Sequence, residues 1–216
     1  GISCAAADMK SRAALEAAVT KDVRMILIET PTNPLLDATD LAMVAEVGRK
    51  RGILTAVDNT FMTPYLQRPM ELGIDIVVHS ATKYLGGHND LVAGLAVAAS
   101  GELAQRLGFI LNTQGAALPP FDCYLLSRGM RTLGVRMDRH VSNAEHVAEG
   151  LLGHPGVRGL RYPGLPSDPA HAVHARQAKS GGAMIAFELA DGYDIRRFFR
   201  ALEVVTLAES LGGVES

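Results

Sequence analysis

Residues 73–83 read Gly-Ile-Asp-Ile-Val-Val-His-Ser-Ala-Thr-Lys. A glycine stop, a short β-branched run, then hydroxyls and a lysine describe a buried strand that reaches the surface at its carboxyl end. Two earlier runs, residues 24–29 and 53–57, repeat the theme, each after a helix-like stretch and before polar residues. The candidate helices are residues 13–20, 39–51 and 65–72. In the second, Asp40 supplies a first-turn acid ahead of Leu41, Val44, Ala45 and Val47, and Gly52 and Gly73 stop the second and third helices. Near-continuous apolar strands alternating with helices predict an α/β fold, a mostly parallel sheet with helices on both faces. Residues 92–98 add an edge or reversed strand.

The pattern changes after Leu118-Pro-Pro120. Residues 121–152 form a long helical stretch, broken near Gly129 and Gly134. Beyond it come a strand at 157–160, a loop at 162–169, a helix to about 179, a strand at 183–188, a helix at 195–202 and a strand at 204–207. This divides the chain into a large domain, 1–130, and a linking helix with the start of a smaller α+β domain, 131–216. No repeat or low-complexity tract is visible. The first residue is not Met and the last ones resemble an interrupted loop, so the chain reads as the central piece of a longer protein.

Of 216 residues, 48% are hydrophobic, enough for a substantial core and against disorder. The 21 basic and 23 acidic residues nearly cancel, which argues against nucleic acid or an anionic membrane as partner. No apolar run reaches the ~20 residues of a membrane span, and no secretory leader is visible. The two cysteines, Cys4 and Cys123, are too far apart to suggest a disulfide scaffold, so a reducing cytoplasm is the expected setting. Small molecules and other protein chains are the expected partners.

In open α/β sheets ligands sit beyond the carboxyl ends of parallel strands. Here those ends carry Glu29-Thr-Pro-Thr-Asn-Pro34, Asp58-Asn59-Thr60 and His79-Ser-Ala-Thr-Lys83. A lysine following a buried strand is a costly choice for stability, because burial disfavours the ammonium; a neutral amine is a nucleophile. It can form a Schiff base with an aldehyde cofactor such as pyridoxal phosphate, whose ring nitrogen needs an acid like Asp58. Ser80 and Thr82 alternate toward one side and offer hydroxyls to a phosphate. A surface ion pair between Lys83 and Asp58 fits the same spacing.

Three strings add weight to the cofactor: Val57-Asp-Asn-Thr-Phe61, His79-Ser-Ala-Thr-Lys-Tyr-Leu-Gly-Gly-His88 and Glu29-Thr-Pro-Thr-Asn-Pro34. With Phe121-Asp-Cys-Tyr-Leu125, Arg128-Gly-Met-Arg-Thr-Leu133 and Ala208-Glu-Ser-Leu-Gly-Gly213, they resemble the Cys/Met-metabolism family of pyridoxal-phosphate enzymes, from about residue 14 onward. The resemblance implies a fold-type I large domain and a homotetramer, a dimer of dimers with active sites shared between subunits. It makes Lys83 the Schiff-base lysine and proton shuttle, Asp58 the partner of the pyridine nitrogen, and Ser80 and Thr82 phosphate ligands. Asn33 falls near the cofactor and the substrate carboxylate, Ser210 helps hold that carboxylate, and Glu209 faces the distal amino group of an amino-acid substrate. An acid at 209 favours the cystathionine γ-synthase and γ-lyase types, which make or break a C–S bond at the γ-carbon, over the methionine γ-lyase and cystathionine β-lyase types. The family's phosphate-cradling turn, ring-stacking Tyr, neighbour-reaching Tyr/Arg pair and carboxylate-binding Arg have no counterpart in these residues. An inactive remnant is therefore the competing reading.

Other motifs carry less. Ser80-Ala-Thr-Lys83 spells S-x-x-K, but the companion S-D-N and K-T-G of serine acyl-transferases are missing. His171 and His174 lack a third ligand, so no metal site is expected and solvated or capping roles fit them. His79 and His88 read as core or loop histidines satisfied by hydrogen bonds, Cys123 as a packed thiol, and Phe121, Tyr124, Leu125, Met130 and Met137 as core or subunit interface.

Overall fold

A computed structural model describes residues 1–215. Its centre is a four-stranded sheet, β1 (Met25–Glu29), β2 (Leu54–Asp58), β3 (Ile76–Ser80) and β4 (Gly94–Ala98), in that spatial order. The first three strands are parallel and β4 runs antiparallel to β3, so residues 92–98 do form a reversed member. Helix α1 (Arg12–Ala18) precedes β1 and α2 (Leu41–Arg51) follows it. Asp40 caps α2 by accepting from the Met43 N–H at 3.0 Å, and Gly52 ends it in the left-handed conformation, φ 64°. Ile26, Ile28, Val57 and Val77 pack against Leu15 of α1 and Leu41, Val44, Ala45 and Val47 of α2, forming the main core. The other side chains of β1 remain open, with Leu27 64% exposed.

The expected helix at 65–72 is two pieces, α3 (Thr63–Leu66) and a 3₁₀ turn, Pro69–Leu72. Pro69 has no N–H to continue a helix, and Gln67 turns extended to pair with Ala178. Helix α4 (Gly101–Gln114), unforeseen, packs beside β4. The long helical stretch divides, as the glycines suggested, into α5 (Pro120–Met130) and α6 (Leu133–Leu151). Met137 is fully buried, but Phe121, Tyr124 and Met130 are exposed, and so is Cys123, which faces outward instead of packing inside.

A second, antiparallel sheet pairs β5 (Val157–Arg161) with β6 (Ala186–Leu189). Between them only α7 (His171–His174) is helical; the chain then swings back to the first lobe, with Lys179 N–H donating to the Leu66 carbonyl. Helix α8 (Ile195–Arg200) follows β6. Residues 204–207 are not a strand: Val204, Val205 and Leu207 are exposed and no neighbouring strand offers them a ladder. No helix among the described residues is long and apolar enough to cross a membrane.

The two histidines of α7 are structural. His171 Nδ1 lies 2.8 Å from the Pro163 carbonyl, and His174, 1% exposed, places Nε2 2.8 Å from the Ser180 carbonyl. Among the described residues no cluster of three metal-binding side chains exists. Burial holds His79, His140 and His174 below the ordinary imidazole range, with the Arg136 charge adding to the effect at His140. Unfolding returns them to about 6.5, so below that pH the unfolded chain binds more protons than the folded one. This contribution is present at neutral pH and is lost on acidification. The urea midpoint should fall between pH 7.5 and pH 5.5; a flat profile would contradict it.

Candidate active site

The parallel register sets Glu29 beside Asp58 and Asp58 beside Val78, so β1, β2 and β3 end on one rim. Their exits are tied together by buried amides. Asn59 Nδ2 donates to the Thr63 and Gln67 carbonyls, at 3.2 and 3.0 Å. Gln67 Nε2 donates to Asn59 Oδ1 at 2.9 Å and to the Thr30 carbonyl at 3.2 Å. Thr60 links the next pair: its N–H donates to Asp58 Oδ1 at 2.9 Å, and its hydroxyl oxygen accepts from the Ser80 N–H at 2.8 Å. Gln67 Oε1 has no partner among the described residues, but the bonds that are made tie the three strand exits to one another.

Lys83 leaves β3 in a tight turn. Its N–H donates to the Ser80 carbonyl at 3.2 Å, and its carbonyl accepts from the Gly87 N–H at 2.8 Å. The half-buried amine donates to Ser210 Oγ at 3.1 Å, a hydroxyl delivered from the far end of the chain. There Gly212 lies against the Lys83–Tyr84 backbone, and the Val214 N–H donates to the Gly87 carbonyl at 3.0 Å. Neither Lys83 nor Asp58 has an ion-pair partner among the described residues, so they are not a surface salt bridge with each other. Acid and amine share the rim uncommitted.

The remaining candidates differ in how far their side chains are engaged. Ser80 is half-buried, and its hydroxyl has no protein partner among the described residues. Thr82 is engaged by Ala93: its Oγ1 accepts from the Ala93 N–H at 3.0 Å and donates to the Ala93 carbonyl at 3.3 Å. Asn33 and Glu209 are exposed, with the Asn33 N–H donating to Glu29 Oε2 at 3.0 Å. The loop after Asn33 is fastened to the second lobe: Gln177 spans the Thr39 carbonyl and the Leu41 N–H, and Arg161 pairs with Asp37 at 2.8 Å and holds its carboxyl below the usual range. His79 is buried beside this rim with Nδ1 unpartnered, and His88 is an exposed loop residue bonded to the Gly86 carbonyl.

Reading the sequence for chemistry passes over Asn59, Gln67, Gly129 and Arg136. Asn59 and Gln67 do their work through backbone carbonyls, which no spacing rule reveals. Arg136 is buried among the Tyr84 and Gly129 carbonyls and the Thr132 hydroxyl.

A parallel sheet whose rim offers an amine and a carboxylate without ion-pair partners and a hydroxyl without a protein partner suits a carbonyl cofactor bearing an anionic group and a basic ring nitrogen. The chain belongs to the Cys/Met metabolism PLP-dependent enzyme family, whose model matches residues 1–216. It is 48% identical over 216 residues to the cystathionine gamma-lyase of Bacillus subtilis, covering 100% of this chain and 57% of that protein. It is 50% identical over 204 residues to the cystathionine gamma-synthase of Mycobacterium leprae, covering 94% and 53% respectively. The crystal structure of cystathionine gamma synthase from Xanthomonas oryzae pv. oryzae in complex with cystathionine superposes with a TM-score of 0.94 at 48% identity, over 97% of this chain and 54% of that one. The chain thus spans about half the length of the relatives it matches, and the α/β fold expected from the sequence is the one they share.

Proposed function

We propose that this chain is the lysine-bearing part of a pyridoxal-phosphate enzyme that makes or breaks a C–S bond at the γ-carbon of a cystathionine- or homoserine-type amino acid. The observation that carries the reading is the rim itself: Lys83 and Asp58 are both held in place by hydrogen bonds and neither is neutralised by an ion pair. When bound, the cofactor supplies an electron sink for the carbanion formed at the substrate α-carbon.

The protein's own groups do the rest. Lys83 Nζ would hold the cofactor and would carry protons to and from substrate carbon. Asp58 would face the ring nitrogen and pair with it through a charge-assisted hydrogen bond. The Ser80 hydroxyl would donate to the phosphate, and Thr82 would share that duty if its hydroxyl gave up its bond to the Ala93 carbonyl. Asn33 and Ser210 orient the substrate carboxylate, and Glu209 receives a distal amino group. The small amino-acid substrate is held between a large domain, residues 1–130, and a smaller unit, residues 131–216. We place the enzyme in the cytoplasm as a homotetramer, a dimer of dimers whose sites are completed across subunits.

The test is to incubate the protein with pyridoxal phosphate, reduce with borohydride and map the adduct. A pyridoxyl group on Lys83 is expected; an unlabelled or randomly labelled protein would point instead to an inactive remnant. Product analysis with cystathionine, with O-succinylhomoserine plus cysteine, and with methionine then fixes the substrate. Methionine as best substrate would overturn the role given to Glu209.

A further inference from the structure

Among the described residues Arg136 is a buried cation beside the site whose burial no ion pair offsets. It is 8% exposed, and among the described residues no carboxylate pairs with it. Burying a guanidinium without a counter-charge is costly, and an apolar side chain of similar volume would serve packing better. What the guanidinium does is bind backbone. Its NH1 donates to the Tyr84 carbonyl at 2.7 Å, its NH2 to the Gly129 carbonyl at 2.9 Å, and its Nε to Thr132 Oγ1 at 2.9 Å. The planar fork therefore joins three segments: the end of α5, the link into α6, and the turn that carries Lys83.

We propose that Arg136 is a positioning residue for Lys83, its guanidinium clamping the Tyr84 carbonyl so that the 83–87 turn presents the lysine amine in one orientation. The proposal rests on the reading of Lys83 given above. Tyr84 directly follows the lysine, and Gly87, whose N–H closes the turn on the Lys83 carbonyl, lies so close to the guanidinium that a Cβ there would overlap it. The fork is therefore in contact with both ends of the turn. Charge-assisted bonds to carbonyls are stronger than neutral ones, and two carbonyls in fixed directions suit a rigid planar donor better than a flexible ammonium. Helix α6 thereby holds the lysine from behind, while Ser210 meets its amine from the front.

Three variants of the complete protein test this: Arg136→Met, Arg136→Lys, and Thr132→Val, which removes the Nε acceptor together with that hydroxyl's own bond to the Gly129 carbonyl, leaves both guanidinium–carbonyl bonds in place, and stands in if the first does not fold. The readouts are amide hydrogen exchange over residues 81–91 in the cofactor-free protein, and the rate of pyridoxal-phosphate labelling of Lys83 relative to exposed Lys21. In Arg136→Met, exchange over this segment should accelerate and relative labelling fall about tenfold, the order expected when a reacting group loses its orientation. Arg136→Lys should recover part of the loss, and Thr132→Val should show a smaller change of the same sign. Wild-type exchange in the Met and Val variants would overturn the proposal, and so would faster exchange with unchanged labelling. If Lys83 of the wild type takes no label, the cofactor reading fails on its own, and the exchange result alone decides the role of Arg136.

Discussion

Replacing Lys83 with alanine is expected to abolish the covalent link to pyridoxal phosphate and to lower turnover about 10⁴-fold, the upper end of what a positioned proton-transfer group contributes. The effect is large because, on the proposed reading, one amine does two jobs, and the side chain it bonds, the Ser210 hydroxyl, cannot condense with an aldehyde. Lys83→Arg should be nearly as damaging, since a guanidinium stays protonated and cannot condense with an aldehyde. Global stability should hardly change, as the amine makes a single hydrogen bond to an exposed partner. The measurement is steady-state turnover alongside a thermal melt of each variant. Activity within tenfold of wild type would remove Lys83 from the mechanism.

Gly129→Ala should be the most destabilising small substitution near the site. A Cβ at 129 would overlap the carbonyl oxygen of Gly86, backbone against backbone, so no side-chain rotation can relieve it. Helix α5 must then back away from the lysine turn, at a cost of about 3 kcal/mol, near the top of the overpacking range. For a chain of this size that is roughly 6–12 °C in Tm. Gly150→Ala offers the control. It lies in α6, and a Cβ there meets nothing within 4 Å. The same methyl group should stabilise by about 0.5–1 kcal/mol, through helix propensity and lost freedom of the unfolded chain. Paired melts read both signs, and a shift in the same direction for the two would contradict the packing described.

What could be read from the sequence divides along physical lines. Strands β1 to β3 announce themselves because buried parallel strands are short, apolar and β-branched, and the glycines at 52 and 73 mark where their preceding segments stop. Because ligands gather at the carboxyl ends of such strands, Asp58, Ser80 and Lys83 could be placed on one rim before any coordinates. Helix α4 is capped by Ser100, whose hydroxyl accepts from the Leu103 N–H, but it was missed because Gly101 and Gly108 dilute its pattern and none of its residues is buried. Residues 204–207 fail the opposite way, with β-branched composition but no ladder to join. Gln67 and Ala178 pair with each other across the lobes, which takes both residues out of helical geometry, and Pro69 adds its own break to the 65–72 segment. Thr82 and Arg136 show the limit of motif reading. Their working partners are main-chain atoms 11 and 52 positions away, which composition does not encode.

The bond between Lys83 and Ser210 spans 127 positions. On a ribosome adding about 5–20 residues per second, roughly 6–25 s separate the emergence of its two ends. The central sheet, complete by Ala98, can form during that wait, while the amine stands without its cover. Until the second lobe is made, Lys83 stands without the one hydroxyl that the finished chain sets against its amine.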